Sequence, residues 1–148
     1  MWGRASRKSA ATRHLAEHLD LRVRGLPPEG DQWPIAVENP TDPTRNLFTV
    51  GLDAGGVATS SRLWRRWDSN DGGAQHHILD PRTGRPASGR LVAVTAIAVA
   101  AWWAEVVATS SFVAGKSARH ADLRETMIAT VDRDGGVEMS PGLAAVAL

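Results

Sequence analysis

The sequence predicts an α+β fold, with a largely antiparallel sheet and flanking helices. Strand-like segments dominate the chain, and the connections between them are short, which favours antiparallel pairing of neighbouring strands. Helix-like segments occur near the start and late in the chain, as is typical of α+β proteins. We expect a single domain over residues 1–148, because a chain of this length can bury a core without a disulfide or a structural metal.

A helix and three strands are predicted for the first half of the chain. Residues 6–19 are predicted to form the helix, because apolar side chains recur one turn apart there. Three strands follow, with the sequences DLRVRG, WPIAVENP and LFTVGLD. The segment LPPEGDQ is predicted to be a loop and TDPTRN a turn, and Gly55 and Gly56 are expected to break the chain before VATSS.

The second half is predicted to contain a hairpin, a central strand, a helix and a final pair of strands. The sequence DGG at residues 71–73 is a hairpin-type turn. Before it, Trp64 and Trp67 are expected to be core anchors, whereas the two arginines between them are expected to be solvated. LVAVTAIAVA is typical of a central strand, and AWWAEVVATSSFVAG predicts a helix capped by Gly115. ETMIATVDRDGGVEMS predicts two strands joined by a glycine turn.

Composition and charge exclude several classes of protein. The formal net charge is +1, so no global field favours nucleic acid or a membrane surface. The chain has no cysteine, which excludes disulfides, thiolate zinc sites and cysteine nucleophiles. The N-terminus is polar and basic, so no secretory signal is expected and the chain as given is expected to be cytoplasmic. Residues 91–108 are apolar, but Thr95 and Glu105 favour a buried strand and helix over a membrane span.

Glu105 and Thr109 form the first candidate site. They are four residues apart, so on a helix their side chains lie on one face. A carboxylate and a hydroxyl one turn apart can share a hard cation such as Mg²⁺. The alternative is structural, with Thr109 bonded to the carbonyl four residues earlier and Glu105 exposed to solvent.

The segment ATSSRLWRRW is the second candidate. Small residues and hydroxyls after a glycine pair allow the backbone to approach a ligand closely. Ser60, Ser61 and nearby amides could bind phosphate oxygens, with Arg62 in support. The alternative is a turn or bulge whose hydroxyls satisfy local backbone groups.

Two adjacent histidines lie in HHILDPRTGRP, at residues 76–86. On a strand, His77 would share one face with Leu79, whereas His76 would share the other face with Ile78. Only one histidine can therefore face a given site, where it could act as a general base, a phosphate donor or a metal ligand. The alternative is a structural turn, because Asp-Pro followed by Thr-Gly is a strong turn signal.

Taken in order, these segments resemble the ApbE-type FAD:protein FMN transferase family. WPIAVENP resembles the family's Trp-x-Ile-x-Ile-x-Asp-Pro strand, and GGVATSSRLWRRW resembles its Ala-Thr-Ser-Gly segment followed by an aromatic-rich stretch. HHILDPRTGRP is similar almost residue for residue to the signature His-Ile-Ile-Asp-Pro-x-Thr-Gly-x-Pro. LVAVTAIAVAAWWAEVVATSSFVAG resembles the strand and helix that follow in the family.

The resemblance implies a partial ApbE-like flavin transferase fold and a Mg²⁺-dependent enzyme. Such enzymes split FAD, attach the FMN half to a threonine hydroxyl of a flavin-accepting protein and release AMP. The signature histidine falls on His77, which implies a catalytic and cofactor-binding role, with Asp80 able to orient it. The family's metal-binding Asp and Thr fall on Glu105 and Thr109. Cofactor binding also falls on the two residues of the Thr-Ser segment, Thr59 and Ser60.

The chain also departs from the family pattern. It matches the C-terminal portion of a flavin transferase domain, without the family's Gly-Gly-x-x-Lys-Gly segment. Ser61 replaces a glycine and Glu105 replaces an aspartate. The alternatives are a catalytically inactive relic that binds flavin or a partner, and a membrane-associated protein anchored by Leu91 to Ala108. A homodimer that replaces the missing half is also left open.

Overall fold

The computed structural model describes residues 21–70, 72–116 and 125–147. The helix predicted at residues 6–19 lies outside the described residues. The elements, in chain order, are β1 (Leu21–Arg24), β2 (Trp33–Asn39), β3 (Asp42–Leu52), β4 (Ala54–Ser61), β5 (Arg66–Asp68), β6 (Ala74–His76), β7 (Leu79–Asp80), β8 (Arg85–Pro86), β9 (Leu91–Ala98), α1 (Ala101–Ala114), β10 (Met127–Asp132), β11 (Val137–Met139) and α2 (Pro141–Ala144).

A five-stranded sheet in the order β1-β4-β9-β10-β11 forms the centre of the fold. Every neighbouring pair in it is antiparallel, as the short connections predict. All eight residues of β9 are buried, because this strand lies in the middle of the sheet and both of its faces are covered. The prediction of a central strand in LVAVTAIAVA is therefore confirmed.

The two faces of the sheet are covered by different elements. Alternate residues of a strand point to opposite faces. On one face, Val94 and Ile128 pack with the α1 residues Val107 and Phe112. On the other face, the antiparallel pair β2–β3 packs over the sheet. The core on that side is formed by Val23, Ile35, Val37, Phe48, Val50, Leu52, Val57, Ile97, Ala129 and Leu143.

Helix α1 follows β9 almost directly and ends where the sequence predicts. Gly115 adopts φ 63° and ψ 25°, the left-handed conformation that glycine reaches without steric cost. Its amide and that of Lys116 donate to the carbonyls of Phe112 and Ser111, which satisfies the last turn. Among the residues that the structure describes, no helix is long and apolar enough to cross a membrane.

Two local predictions about glycine and the turn are wrong. Gly55 and Gly56 do not break the chain but lie inside β4, paired with β1. A Cβ on Gly56 would lie 2.3 Å from Cα of Ala101, so the glycine is needed for the close approach of α1. The predicted turn TDPTRN is also too long, because β3 begins at Asp42. The amide of Thr41 donates to Oδ1 of Asn39 at 3.0 Å, which tightens the turn.

The prediction that Trp64 and Trp67 anchor the core is wrong as well. Their exposed fractions are 38% and 54%. Trp67 lies in β5, which pairs only with β6 in a two-stranded ribbon. No third strand of the described sheets covers this ribbon, so the indole of Trp67 is left accessible.

Candidate functional site

A chain of side-chain hydrogen bonds joins β4 to α1. The hydroxyl of Thr109 donates to Oε1 of Glu105 at 3.2 Å. Oγ of Ser60 lies 2.8 Å from Oγ1 of the same threonine. Because a hydroxyl carries a single proton, Thr109 accepts from Ser60 and donates to Glu105. The structure therefore brings together Ser60 and the predicted metal pair.

The local fold explains why these three oxygens meet. Glu105 and Thr109 are one turn apart on α1, as predicted. Ser60 is buried on the face of β4 that α1 covers, the same face as Gly56 and Ala58. Ser60 therefore does not follow the alternative of satisfying local backbone groups, whereas Ser61 does, since its hydroxyl donates to the carbonyl of Val92 at 3.1 Å.

Thr59 is separated from this cluster. As the neighbour of Ser60 on a strand, it points to the opposite face of the sheet. There its Oγ1 lies 2.9 Å from Oγ1 of Thr95 in β9. Thr59 and Ser60 therefore lie on opposite faces of β4, and only Ser60 joins Thr109 and Glu105, whereas cofactor binding by Thr59 stays a prediction.

His77 follows β6 and has an exposed side chain. Its backbone amide donates to the carbonyl of Arg65 at 3.3 Å, and its Nδ1 lies 3.4 Å from the same oxygen. In a neutral imidazole this contact with a carbonyl oxygen places the proton on Nδ1 and leaves the lone pair on Nε2. An accessible imidazole nitrogen with a lone pair is able to accept a proton.

His76 is buried on the other side of the segment. Its Nε2 donates to the carbonyl of Ala87 at 3.0 Å, and its Nδ1 accepts from the amide of Ile78 at 3.3 Å. Its ring packs edge-on against Phe112 of α1, with centroids 6.0 Å apart. Burial, in the first place, lowers the pKa of His76 below its ordinary value. This structural role was not assigned from the sequence, although the predicted alternation with Ile78 carried the signal.

Asp80 orients the turn rather than a histidine. Its carboxylate accepts two bonds from the guanidinium of Arg82, at 3.1 and 2.8 Å, and a third from the backbone amide of Arg82 at 2.9 Å. The hydrogen bonds from the Arg82 side chain are the main reason why the pKa of Asp80 is lowered. The Asp80 carbonyl also accepts from the amides of Thr83 and Gly84. The suggestion that Asp80 orients His77 is therefore not supported, because its bonds are used within the turn.

The oxygens of Ser60, Thr109 and Glu105 are a donor set that suits Mg²⁺. This ion takes oxygen ligands and usually only one or two carboxylates from a protein, with water or phosphate oxygens completing its shell. Within residues 21–70, 72–116 and 125–147, no group of three or more histidines and carboxylates could hold a metal by itself. These oxygens alone would not complete a magnesium shell, so an ion held here would need further oxygen ligands from water or phosphate.

Comparisons with known proteins identify relatives of this chain. The profile of the ApbE family matches residues 16–131. The FAD:protein FMN transferase of Vibrio cholerae serotype O1 is 34% identical over 98 residues, which cover 66% of this chain and 29% of that protein. The FAD:protein FMN transferase of Escherichia coli K12 is 36% identical over 96 residues, which cover 64% of this chain and 27% of that protein.

Solved structures show the same similarity. The crystal structure of the ApbE protein of Thermotoga maritima superposes with a TM-score of 0.72 and 32% identity, over 82% of this chain and 40% of that chain. The apo form of the flavinyl transferase ApbE of Pseudomonas stutzeri superposes with a TM-score of 0.68 and 28% identity, over 86% of this chain and 40% of that chain. The predicted α+β, ApbE-like fold is confirmed. This chain spans less than a third of the curated relatives described above, and it belongs to the ApbE family.

Proposed function

We propose that this chain is the C-terminal portion of an FAD:protein FMN transferase, which moves FMN from FAD to a threonine hydroxyl of a flavin-accepting protein with the help of Mg²⁺. One observation carries the proposal: hydrogen bonds join Ser60 of β4 to Thr109 and Glu105 of α1, and the segment that contains His77 packs against the same helix through His76. The contact between His76 and Phe112 fixes that segment on α1. The names of the relatives support the same activity.

The proposed reaction is a phosphoryl transfer. The threonine oxygen attacks the phosphorus of the FMN half of FAD, and the bond from that phosphorus to the bridging oxygen breaks. The bridging oxygen leaves with AMP, and the threonine proton goes to a base. Catalysis of this kind depends on positioning and on stabilising the charge of the phosphate oxygens.

The residues of the chain have separate roles in this proposal. Nε2 of His77, which keeps its lone pair while Nδ1 faces the carbonyl of Arg65, takes the proton of the acceptor hydroxyl. Glu105 and Thr109 would hold Mg²⁺, and Ser60 holds Thr109 in place through its hydrogen bond. Bound Mg²⁺ would supply charge neutralisation and orientation of the phosphates.

The test is transfer of FMN to a flavin-accepting domain, in the presence of FAD and Mg²⁺, read as covalent flavin fluorescence on a denaturing gel. His77→Ala is expected to slow transfer by about a hundredfold or more, because a general base is lost. Leu79→Ala is the matched control, since Leu79 is exposed in the same segment and has no proposed role. Near-native transfer by His77→Ala would remove His77 from the reaction.

A second measurement separates the enzyme from an inactive relative. Flavin binding without covalent transfer by the wild-type chain, at any Mg²⁺ concentration, would favour the alternative of a flavin-binding relic. Sedimentation of the transferring species would show whether a second copy of the chain takes part.

A further inference from the structure

The ribbon β5–β6 has an outer face of which the proposed reaction uses only His77. In its register Arg66 pairs with His76 and Trp67 with Gln75. The bond from the amide of His77 to the carbonyl of Arg65 continues this register by one pair. Because side chains alternate along a strand, the paired residues Trp67 and Gln75 share one face of the ribbon. Arg65 and His77 lie in the bends directly next to the strands and continue this alternation, and we call the four residues the outer ribbon face.

The outer ribbon face is accessible and carries Arg65, which has no carboxylate partner among the described residues. The indole of Trp67 is 54% exposed, and Arg65 is exposed as well. Unlike Arg65, both Arg82 and Arg90 have carboxylate partners. Asp68, the carboxylate within β5, falls on the opposite face.

The opposite face of the ribbon differs in what it contacts. His76 lies on it and is buried against Phe112. Arg66 shares this face through its pairing with His76, although its own side chain is exposed. Two adjacent arginines of equal charge and similar exposure therefore lie on different faces of one ribbon, and only Arg65 is on the side of His77.

We infer that the outer ribbon face docks the flavin-accepting protein through an acidic segment beside its acceptor threonine. This inference rests on the proposed function. Cross-strand neighbours on one face have Cβ atoms about 5 Å apart, so a carboxylate bound to Arg65 lies within a residue or two of a hydroxyl at His77. The Arg65 guanidinium binds the carboxylate, and the Trp67 ring packs on neighbouring residues of the flavin-accepting protein.

The composition of the face favours a protein partner over the dinucleotide. Exposed Trp and Arg side chains are enriched at the centres of protein interfaces. A guanidinium could also bind a phosphate of FAD, and the experiment has an arm that detects this.

The experiment is fluorescence anisotropy with a labelled synthetic peptide that carries threonine flanked by aspartates. A matched peptide has asparagine in place of each aspartate. The wild-type chain is expected to bind the acidic peptide about tenfold more tightly than the asparagine peptide at low ionic strength. Arg65→Gln is expected to lose this preference, whereas Arg66→Gln, with the same loss of charge on the other face, keeps it.

Equal binding of the two peptides by the wild-type chain, or equal losses in Arg65→Gln and Arg66→Gln, would overturn the inference. It would also be overturned if Arg65→Gln weakened binding of FAD and left the peptide preference intact, since Arg65 would then belong to the dinucleotide site. Failure of the proposed function would look different: the wild-type chain would still prefer the acidic peptide but would transfer no FMN.

Discussion

The two faces of the central sheet use neighbouring residues of the same strand for different purposes. On the face under β2–β3, the hydroxyl of Thr59 meets that of Thr95, and the pair is surrounded by an apolar core. On the face under α1, the hydroxyl of Ser60 meets that of Thr109, which continues to a carboxylate. The hydroxyls of Thr59 and Thr95 bond to each other, whereas the bond between Ser60 and Thr109 continues to Glu105, whose carboxylate is a group that can bind a cation. Strand alternation therefore directs the hydroxyls of two adjacent residues to two different hydrogen-bonding partners on opposite faces of the sheet.

The largest difference in stability between the two faces is expected when a glycine is replaced by alanine. Gly56→Ala places a Cβ 2.3 Å from Cα of Ala101, and this backbone of α1 cannot move without shifting the helix. We expect a loss of about 3 kcal/mol in the free energy of unfolding, as in overpacked cores. Urea denaturation, followed by circular dichroism, measures the loss.

Gly51→Ala is the matched variant in β3, on the other side of the molecule. The added Cβ meets the side chain of Gln32, which is exposed and can rotate away. We expect a change under about 1 kcal/mol in either direction. Equal losses in the two glycine variants would mean that α1 does not depend on the close approach at Gly56.

An intermediate effect is expected for the two hydroxyls of β4. Ser60→Ala removes the donor that positions Thr109, so transfer of FMN should fall about tenfold, the scale typical of residues that orient a metal ligand. Thr59→Val removes a bond on the opposite face and should cost about 1 kcal/mol of stability with no change in the transfer rate. The covalent flavin assay and thermal unfolding read the two effects separately, and an equal loss of transfer in both variants would contradict the separation of the faces.

The smallest effect is expected for the titration of His76, which fixes the ribbon on the α1 side. Burial lowers its pKa most, and the charges of Arg62 and His77 act in the same direction, while the bond to the carbonyl of Ala87 acts against them. The native chain therefore binds fewer protons than the unfolded chain below pH about 6.5. The contribution of neutral His76 to the free energy of unfolding should therefore have its full value above that pH. It should fall as the pH decreases toward the lowered native pKa.

His76→Gln provides the control for this titration. The variant has no titrating group at position 76, so the decrease in stability between neutral and mildly acidic pH should become shallower. Unfolding by urea at a series of pH values measures the slope. An unchanged slope would show that another group causes the acid sensitivity.

Much of the fold could be predicted from local pattern. The β-branched run at Leu91–Ala98 and the terminal glycine of α1 predict their elements correctly, because burial and capping are encoded by adjacent residues. The glycine pair of β4 misled the prediction, because Gly56 is explained by a close contact with Ala101, which is distant in sequence. Trp64 and Trp67 misled it too, because apolar character alone does not reveal that, among the described strands, β5 pairs with β6 alone.

The candidate site, like the fold, could be predicted from the sequence only in part. The spacing of Glu105 and Thr109 on one helix face could be predicted from helical periodicity. The participation of Ser60 rather than Thr59 could not be predicted, because the sequence does not show which face of β4 is covered by α1 and which by β2–β3. The alternation of His76 and His77 was predicted correctly, but the partners that hold His76 come from residues 78, 87 and 112.

The glycine at position 56 has a further consequence for the geometry of α1. The helix rests on β4 at two places, through Ala101 over Gly56 and through Thr109 beside Ser60. These places are about 12 Å apart along the helix axis, from the rise per residue. Because α1 contacts β4 at both places, the tilt of the helix depends on its distance from the strand at each of them. A side chain added at position 56 would therefore change this tilt and shift the carboxylate of Glu105. In the proposed reaction, position 56 would thus influence where the oxygens of Glu105 and Thr109 lie without contributing an oxygen itself.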